Sequence, residues 1–154
     1  MIIEILKPLY RRDLEKLRQE IGLYRDESLM WKVDGDVTNS AGNLCQHLIG
    51  NLNHFIGAQL GKSGYVRQRE LEFSTQETSR EELFTQIAAT IEVVANTLDR
   101  LTDSDLAADY PLVVFKEKMT TGWFLIHLAT HLSYHLGQIN YHRRIFDPLQ
   151  SDAE

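Results

Sequence analysis

Apolar side chains recur along the chain with the spacing of amphipathic helices, in four stretches that polar connectors separate. The first stretch covers residues 2–24, and Pro8 is compatible with the first turn of a helix there. Its apolar positions are Leu6, Leu9, Leu14, Leu17 and Ile21. We therefore predict a first helix from Ile2 to about Tyr24.

The second predicted helix follows a polar connector at residues 32–36. Asn39 and Ser40 are both suitable N-caps, because their side-chain oxygens can accept hydrogen bonds from the free N–H groups of the first turn. Gly61 favours a helix end after Leu60. The helix is therefore expected to begin near Asn39 or Ser40 and to end at Leu60.

The third and fourth helices are predicted from the same signals. Thr78 or Ser79 caps the third helix, which carries glutamates in its first turn, where the helix dipole favours them, and ends at about Leu101. The fourth helix begins around Thr120 and ends near Ile145.

Four helices of this length are typical of a four-helix bundle, a fold that builds its sites from inward-facing side chains. A chain of 154 residues suits one compact domain. We predict an all-α protein with a single domain, residues 1–154, and a short extended piece at residues 112–115.

Composition and charge exclude several classes of function. The net charge of −6 argues against nucleic acid as a partner, and the single cysteine, Cys45, excludes an internal disulfide and a thiolate zinc site. Residues 119–142 carry no charged side chain, but their four histidines, Gln138 and Asn140 are too polar for lipid. With an N-terminal segment too charged for a signal peptide, we expect a cytoplasmic protein without membrane contact.

Four of the six histidines lie in the fourth predicted helix. At 100° per residue, His127 and His135 lie about 40° to either side of His131, and Gln138 lies within roughly 20° of it. This helix has almost no charge on any face, so it is either central to the bundle or part of a homodimer interface. A face of small or neutral side chains would suit that interface; its members are Gly122, Ala129, Ser133 and Asn140.

The second predicted helix carries a similar polar strip. Asn43, Asn51 and His54 lie within about 40° of His47, with leucines beside them. Packing of the leucines would turn both polar strips inward, where they could face each other.

Two histidines four residues apart on a helix can bind one metal ion from the same side. A third imidazole from a facing helix would complete a three-nitrogen site with an open position, the arrangement of catalytic zinc sites. The pair His127 and His131 has the same spacing as His131 and His135, so geometry alone does not choose between them. Zinc, nickel and iron all accept imidazole ligands, so the geometry does not identify the metal either. The alternative is a polar seam without metal, satisfied by Asn43, Asn51 and Gln138.

The segment H-L-S-Y-H-L-G-Q-I, residues 131–139, resembles the last-helix motif of the DinB superfamily, also described as DinB/YfiT-like metalloenzymes. Members are four-helix bundles with one histidine ligand on the second helix and two ligands four residues apart on the last. The resemblance covers the whole chain in helix order and is closest to a branch described as a domain of unknown function. It implies that His47, His131 and His135 are the ligands of a divalent metal ion.

The resemblance also implies roles for other polar residues near the ligands. Asn51 and Gln138 are candidates to accept the second N–H of a ligating imidazole. His54, His127 and Tyr134 are candidates for the pocket. Many superfamily members carry a further histidine and an arginine around the last ligand, where this chain has Tyr134 and Leu136, so the role of those groups is not carried over.

Characterised members of the superfamily include transferases that join low-molecular-weight thiols to electrophiles. The resemblance therefore implies a metal-dependent thiol S-transferase with a small-molecule thiol and an electrophile as substrates. A metal-dependent hydrolase is a second hypothesis, but neither polar strip contains the carboxylate that would serve as its base. A third is a non-enzymatic helical homodimer whose histidines bind metal adventitiously or structurally.

Overall fold

The computed structural model of the chain describes residues 1–149. Residues 150–154 of the predicted domain lie outside the described residues. The described part contains these α-helices: α1 Ile2–Gly22, α2 Ala41–Leu52, α3 Arg69–Ser74, α4 Arg80–Leu98, α5 Asp103–Ala107 and α6 Thr121–Phe146. A 3₁₀ turn, Glu27–Trp31, follows α1, and a π-helical turn, Asn53–Ala58, extends α2. The described residues contain no strand, so the predicted all-α class is confirmed.

Three of the four long helices begin at a side-chain cap; the caps of two of them were predicted, and the third begins at the predicted position. Ser40 accepts a hydrogen bond from the backbone N–H of Asn43 at the start of α2 (3.1 Å). Ser79 caps α4, and Thr120 caps α6 by accepting from the N–H of Trp123 (3.2 Å). The first helix has no side-chain cap, and Pro8 lies in its second turn rather than its first.

The second helix differs from its prediction because its α-helical hydrogen bonding ends at Leu52. From Asn53 to Ala58 the chain forms a π turn, in which the N–H of Gln59 donates to the carbonyl of His54 (3.1 Å). The side chain of Asn53 donates to the carbonyl of Ile49 (2.9 Å) and so competes with the backbone for this acceptor. A periodic apolar pattern continues through such a turn and does not reveal it.

Two short helices were not predicted. Neither α3 nor α5 is long enough to show a periodic apolar pattern. The expected extended piece at residues 112–115 forms no strand; instead an isolated bridge joins Asp109 to Thr120 and closes the loop that contains this piece. The prediction of an extended piece was therefore wrong in its position.

The long helices enclose one apolar core. Helix α1 packs against α4 and α6, while α2 packs against α4 and α6 from the other side. Part of the small-residue face of α6 is covered by the chain itself, because Asn140 donates to Glu20 of α1 (2.7 Å) and Gly122 contacts Leu106 of α5. Cys45 is fully buried in the core, and burial raises the pKa of its thiol. No described helix is both long enough and apolar enough to span a bilayer.

Candidate metal centre

Helices α2 and α6 bring three histidines to one point. Nε2 of His131 lies 3.3 Å from Nε2 of His47 and 3.1 Å from Nε2 of His135. The three residues each offer a ligand nitrogen, and these nitrogens all lie within 4.8 Å of one another. Histidines from two helices that are far apart in sequence thus form a group that could hold a metal ion.

The spacing of these nitrogens fits a shared ion. In a tetrahedral site with zinc–nitrogen bonds of about 2.0–2.1 Å, two ligand nitrogens lie about 3.3–3.4 Å apart. When the ring proton is on Nδ1, each Nε2 can direct its lone pair at an ion between the three rings. The residues present therefore fit a divalent ion.

Two of the ligands have an oxygen acceptor for the ring nitrogen that faces away from the centre. Nδ1 of His47 lies 3.1 Å from Oε1 of Glu72, and Nδ1 of His135 lies 2.6 Å from Oε1 of Gln138. An acceptor at Nδ1 fixes the proton there and leaves the Nε2 lone pair free. Both side chains are thus in the tautomer that a metal ligand needs.

Two of the three histidines, His131 and His135, are held in the neutral form. His47 is buried, and the other two are partly buried. Burial, together with the neighbouring imidazoles of His135 and His47, lowers the pKa of His131 to about 4. Burial also lowers the pKa of His135, although the hydrogen bond to Gln138 opposes that shift. A neutral imidazole is the form that binds metal, so the rings of His131 and His135 do not have to lose a charge before they bind an ion at neutral pH.

Glu72 and Arg67 were missed by the sequence analysis. Glu72 lies in α3, and both of its carboxylate oxygens accept hydrogen bonds from Arg67 (2.8 Å each). Burial alone would raise the pKa of Glu72, but the hydrogen bonds from Arg67 and His47 outweigh it and hold that pKa below its usual value. The carboxylate is therefore ionised. No periodic or motif signal marks these residues, because they belong to a connection between long helices.

Asn51 lies one helical turn beyond His47 on α2 and is buried. Its side-chain oxygen has no hydrogen-bond partner among the described residues, and the same holds for Nδ1 of His131. Nδ1 of His131 thus lacks the oxygen acceptor that Nδ1 has in His47 and His135.

The remaining histidines lie outside the group of three. The ring of His127 stacks on Trp123 and its centre is 6.2 Å from that of His131. His54 lies in the π turn against Phe55. His142 is buried farther along α6, where Tyr24 and the backbone of Lys32 engage its two ring nitrogens. Tyr134, which was also predicted as a pocket residue, is exposed, and its ring centre lies 5.3 Å from that of His135.

A cavity of about 670 Å³ opens beside the N-terminal end of α6. Its walls are formed by residues 115–120 and Trp123, and none of the three histidines lines it. Phe115 in this wall contacts the ring of His127, with ring centres 5.0 Å apart. His127 therefore lies between the cavity and the group of three histidines.

A family model described as "Protein of unknown function (DUF1572)" matches residues 7–150. No curated protein matches the chain.

Proposed function

The chain belongs to the family described as "Protein of unknown function (DUF1572)", and within it we propose a divalent-metal-dependent enzyme with His47, His131 and His135 as ligands. The convergence of three imidazole nitrogens, at distances of 3.1 and 3.3 Å, carries this proposal. Three protein ligands leave a coordination position for substrate, as catalytic sites require.

The DinB superfamily is the wider group in which we place this chain. Two features support the placement: the ligand residue types follow the order of its motif, one on an early long helix and two on the last, and Gly137 and Gln138 follow the second of these. Gln138 then has a physical role, since its oxygen lies 2.6 Å from Nδ1 of His135.

The reaction we propose is the transfer of a low-molecular-weight thiol to an electrophile. A bound zinc, nickel or iron ion would act as a Lewis acid that favours the thiolate form of the substrate. In the transfer, sulfur forms a bond to an electrophilic carbon, the leaving group departs with the electron pair of the broken bond, and the thiol proton goes to solvent. The imidazoles of this chain would hold the ion and orient the site.

Hydrolysis is the less favoured reaction for a structural reason. The carboxylate nearest the three nitrogens is Glu72, which contacts the Nδ1 side of His47 and is held by two hydrogen bonds from Arg67. A general base for water must reach the open side of the site and be free to take a proton. Glu72 meets neither condition.

The first test measures metal content in protein purified without a histidine tag. We expect about one divalent ion per chain, loss of that ion in His131→Ala, and its retention in the matched variant His127→Ala. If the wild type contains metal and His131→Ala contains the same amount, the proposed site is wrong. Loss in both variants would instead favour the pair His127 and His131 that the helical spacing also allowed.

The second test measures thiol conjugation to a panel of electrophiles with and without chelator. We expect activity in the metal-loaded wild type and none after chelation or in His131→Ala. A loaded protein that conjugates no thiol but hydrolyses esters or amides would replace the transferase with a hydrolase.

A further inference from the structure

We propose that Glu72 is a positioning residue for His47 and that, through this contact, metal binding is coupled to the docking of residues 59–79 on α2. The inference rests on the metal site proposed above and assigns part of its control to a segment that contributes no ligand. Four sets of contacts support it.

The first support is the fixed orientation of the Glu72 carboxylate. Arg67 donates from Nε and from Nη2, at 2.8 Å in each case, which is the two-point geometry that holds a carboxylate most firmly. The side chains of both residues are nearly buried, with 11% and 6% of their surface exposed, so solvent competes little for these bonds. The guanidinium also lies over the ring of Phe55, 5.6 Å from its centre.

The second support is the position of this carboxylate relative to the ligand. Oε1 of Glu72 lies 3.1 Å from Nδ1 of His47, opposite the nitrogen that faces the other histidines. A carboxylate in this position fixes the ring orientation and increases the basicity of the ligating nitrogen, and its removal typically weakens metal binding by 10–100-fold.

The third support is the space that α2 leaves for Glu72. Gly50 lies on α2 where Glu72 approaches, and a Cβ atom at this position would overlap the carboxylate. A glycine inside a helix lowers the stability of that helix by about 1 kcal/mol relative to alanine. Helix α2 considered by itself would therefore be more stable with alanine at position 50. The close approach of Glu72 explains the glycine, because a side chain at position 50 would collide with the carboxylate.

The fourth support is that the rest of the segment is tied to the same face of α2. The side chain of Asn43 donates to the carbonyls of Glu72 (3.0 Å) and Thr75 (2.9 Å). Gln46 donates to the carbonyl of Thr75 (3.0 Å) and accepts from Thr78 (2.7 Å). The segment is thus tied by polar contacts to side chains of α2 that flank His47. Because coupling is reciprocal, a contact that strengthens metal binding must be strengthened by metal to the same degree.

The first experiment compares zinc affinity, measured by competition with a chromophoric chelator, in Glu72→Gln and in the matched control Glu70→Gln. Glu70 lies in the same helix but is exposed and makes no contact with His47. We expect 10–100-fold weaker binding for Glu72→Gln, an altered visible spectrum of its cobalt form, and wild-type behaviour for the control.

A second variant separates positioning from a general effect on folding. Gly50→Ala keeps every ligand and Glu72, and by helix propensity alone it should stabilise α2. We expect it to displace the carboxylate and to weaken zinc binding to a similar degree. Zinc affinity at the wild-type level in both folded variants would overturn the inference while leaving the metal site intact.

The coupling itself is read by amide hydrogen exchange over residues 59–79. Zinc should slow exchange in this segment of the wild type, and the zinc-dependent difference should be much smaller in Glu72→Gln. A segment whose exchange does not respond to zinc in a wild type that binds zinc would refute the coupling. A wild type that binds no zinc, nickel or iron would remove the proposed function and this inference together.

Discussion

His131 and His142 lie on the same helix but in opposite chemical situations. Both ring nitrogens of His142 are engaged, because Nδ1 lies 2.6 Å from the hydroxyl of Tyr24 and Nε2 lies 2.7 Å from the carbonyl of Lys32. Nε2 of His131 instead faces two other imidazoles. The carbonyl can only accept, so Nε2 of His142 carries the proton and Nδ1 accepts from Tyr24. His142 is therefore a structural residue whose hydrogen bonds require the neutral ring.

This arrangement predicts a dependence of stability on pH. Burial lowers the pKa of His142 below its ordinary value, so the unfolded chain takes up the proton first as pH falls. The contribution of His142 to the free energy of unfolding is fully present above about pH 6.5, the ordinary histidine pKa, and is lost as pH falls toward the folded pKa. In metal-free protein, urea unfolding should show a weaker decline below pH 6.5 for His142→Gln than for the wild type. Equal declines in the two proteins would contradict the assignment.

At the scale of secondary-structure elements, the long helices are predicted by apolar residues that recur with the helical period. The short helices have no such pattern. Ser40, Ser79 and Thr120 cap the helices that apolar periodicity predicts. Helix α3 has six residues and α5 has five, so neither completes two turns and neither shows a period. The periodic apolar pattern therefore predicts the helices that carry the candidate ligands but not the helix that carries Glu72.

The cap of α6 gives a prediction at this scale. Thr120→Ala removes the acceptor for the N–H of Trp123 and should lower the free energy of unfolding by about 1 kcal/mol. Thr120→Ser should retain most of this stability. As a control on the same helix, the exposed Ser133→Ala should be neutral or slightly stabilising, because alanine is the better helix former. The free energies of unfolding of the three variants are measured by urea unfolding. If Thr120→Ala has the same free energy of unfolding as the wild type, the cap contributes nothing to stability.

At the scale of the whole molecule, the three candidate ligands join two helices, and the contact between His47 and His131 spans 84 positions of sequence. An ion that binds only the folded chain stabilises it by about 2.7 kcal/mol at a free concentration of 100 times Kd. For a chain of this size we expect zinc to raise the midpoint of thermal unfolding by roughly 5–10 °C. The measurement is differential scanning calorimetry with and without zinc. His131→Ala should show no such rise, and an equal rise in that variant would place the ion elsewhere.

How far the sequence predicts this molecule depends on the kind of interaction involved. The helical projection placed His47 on one strip and His131 on another, and the structure brings their nitrogens within 3.3 Å because the flanking leucines turn both strips inward. Metal binding by that group stays a prediction. The contact of Glu72 with His47 is set by the path of an irregular connection, which residue spacing does not determine. The π turn after Leu52 likewise depends on a side-chain bond to the backbone rather than on a period.

The burial of Cys45 has a practical consequence for labelling. Its thiol is the only one in the chain, and in the folded protein it is enclosed by the core and held in the unreactive protonated form. A maleimide dye should therefore leave the native protein unlabelled. A cysteine introduced by Val66→Cys, at a position that is 82% exposed, would give one defined attachment point for a fluorophore on the connection between α2 and α4.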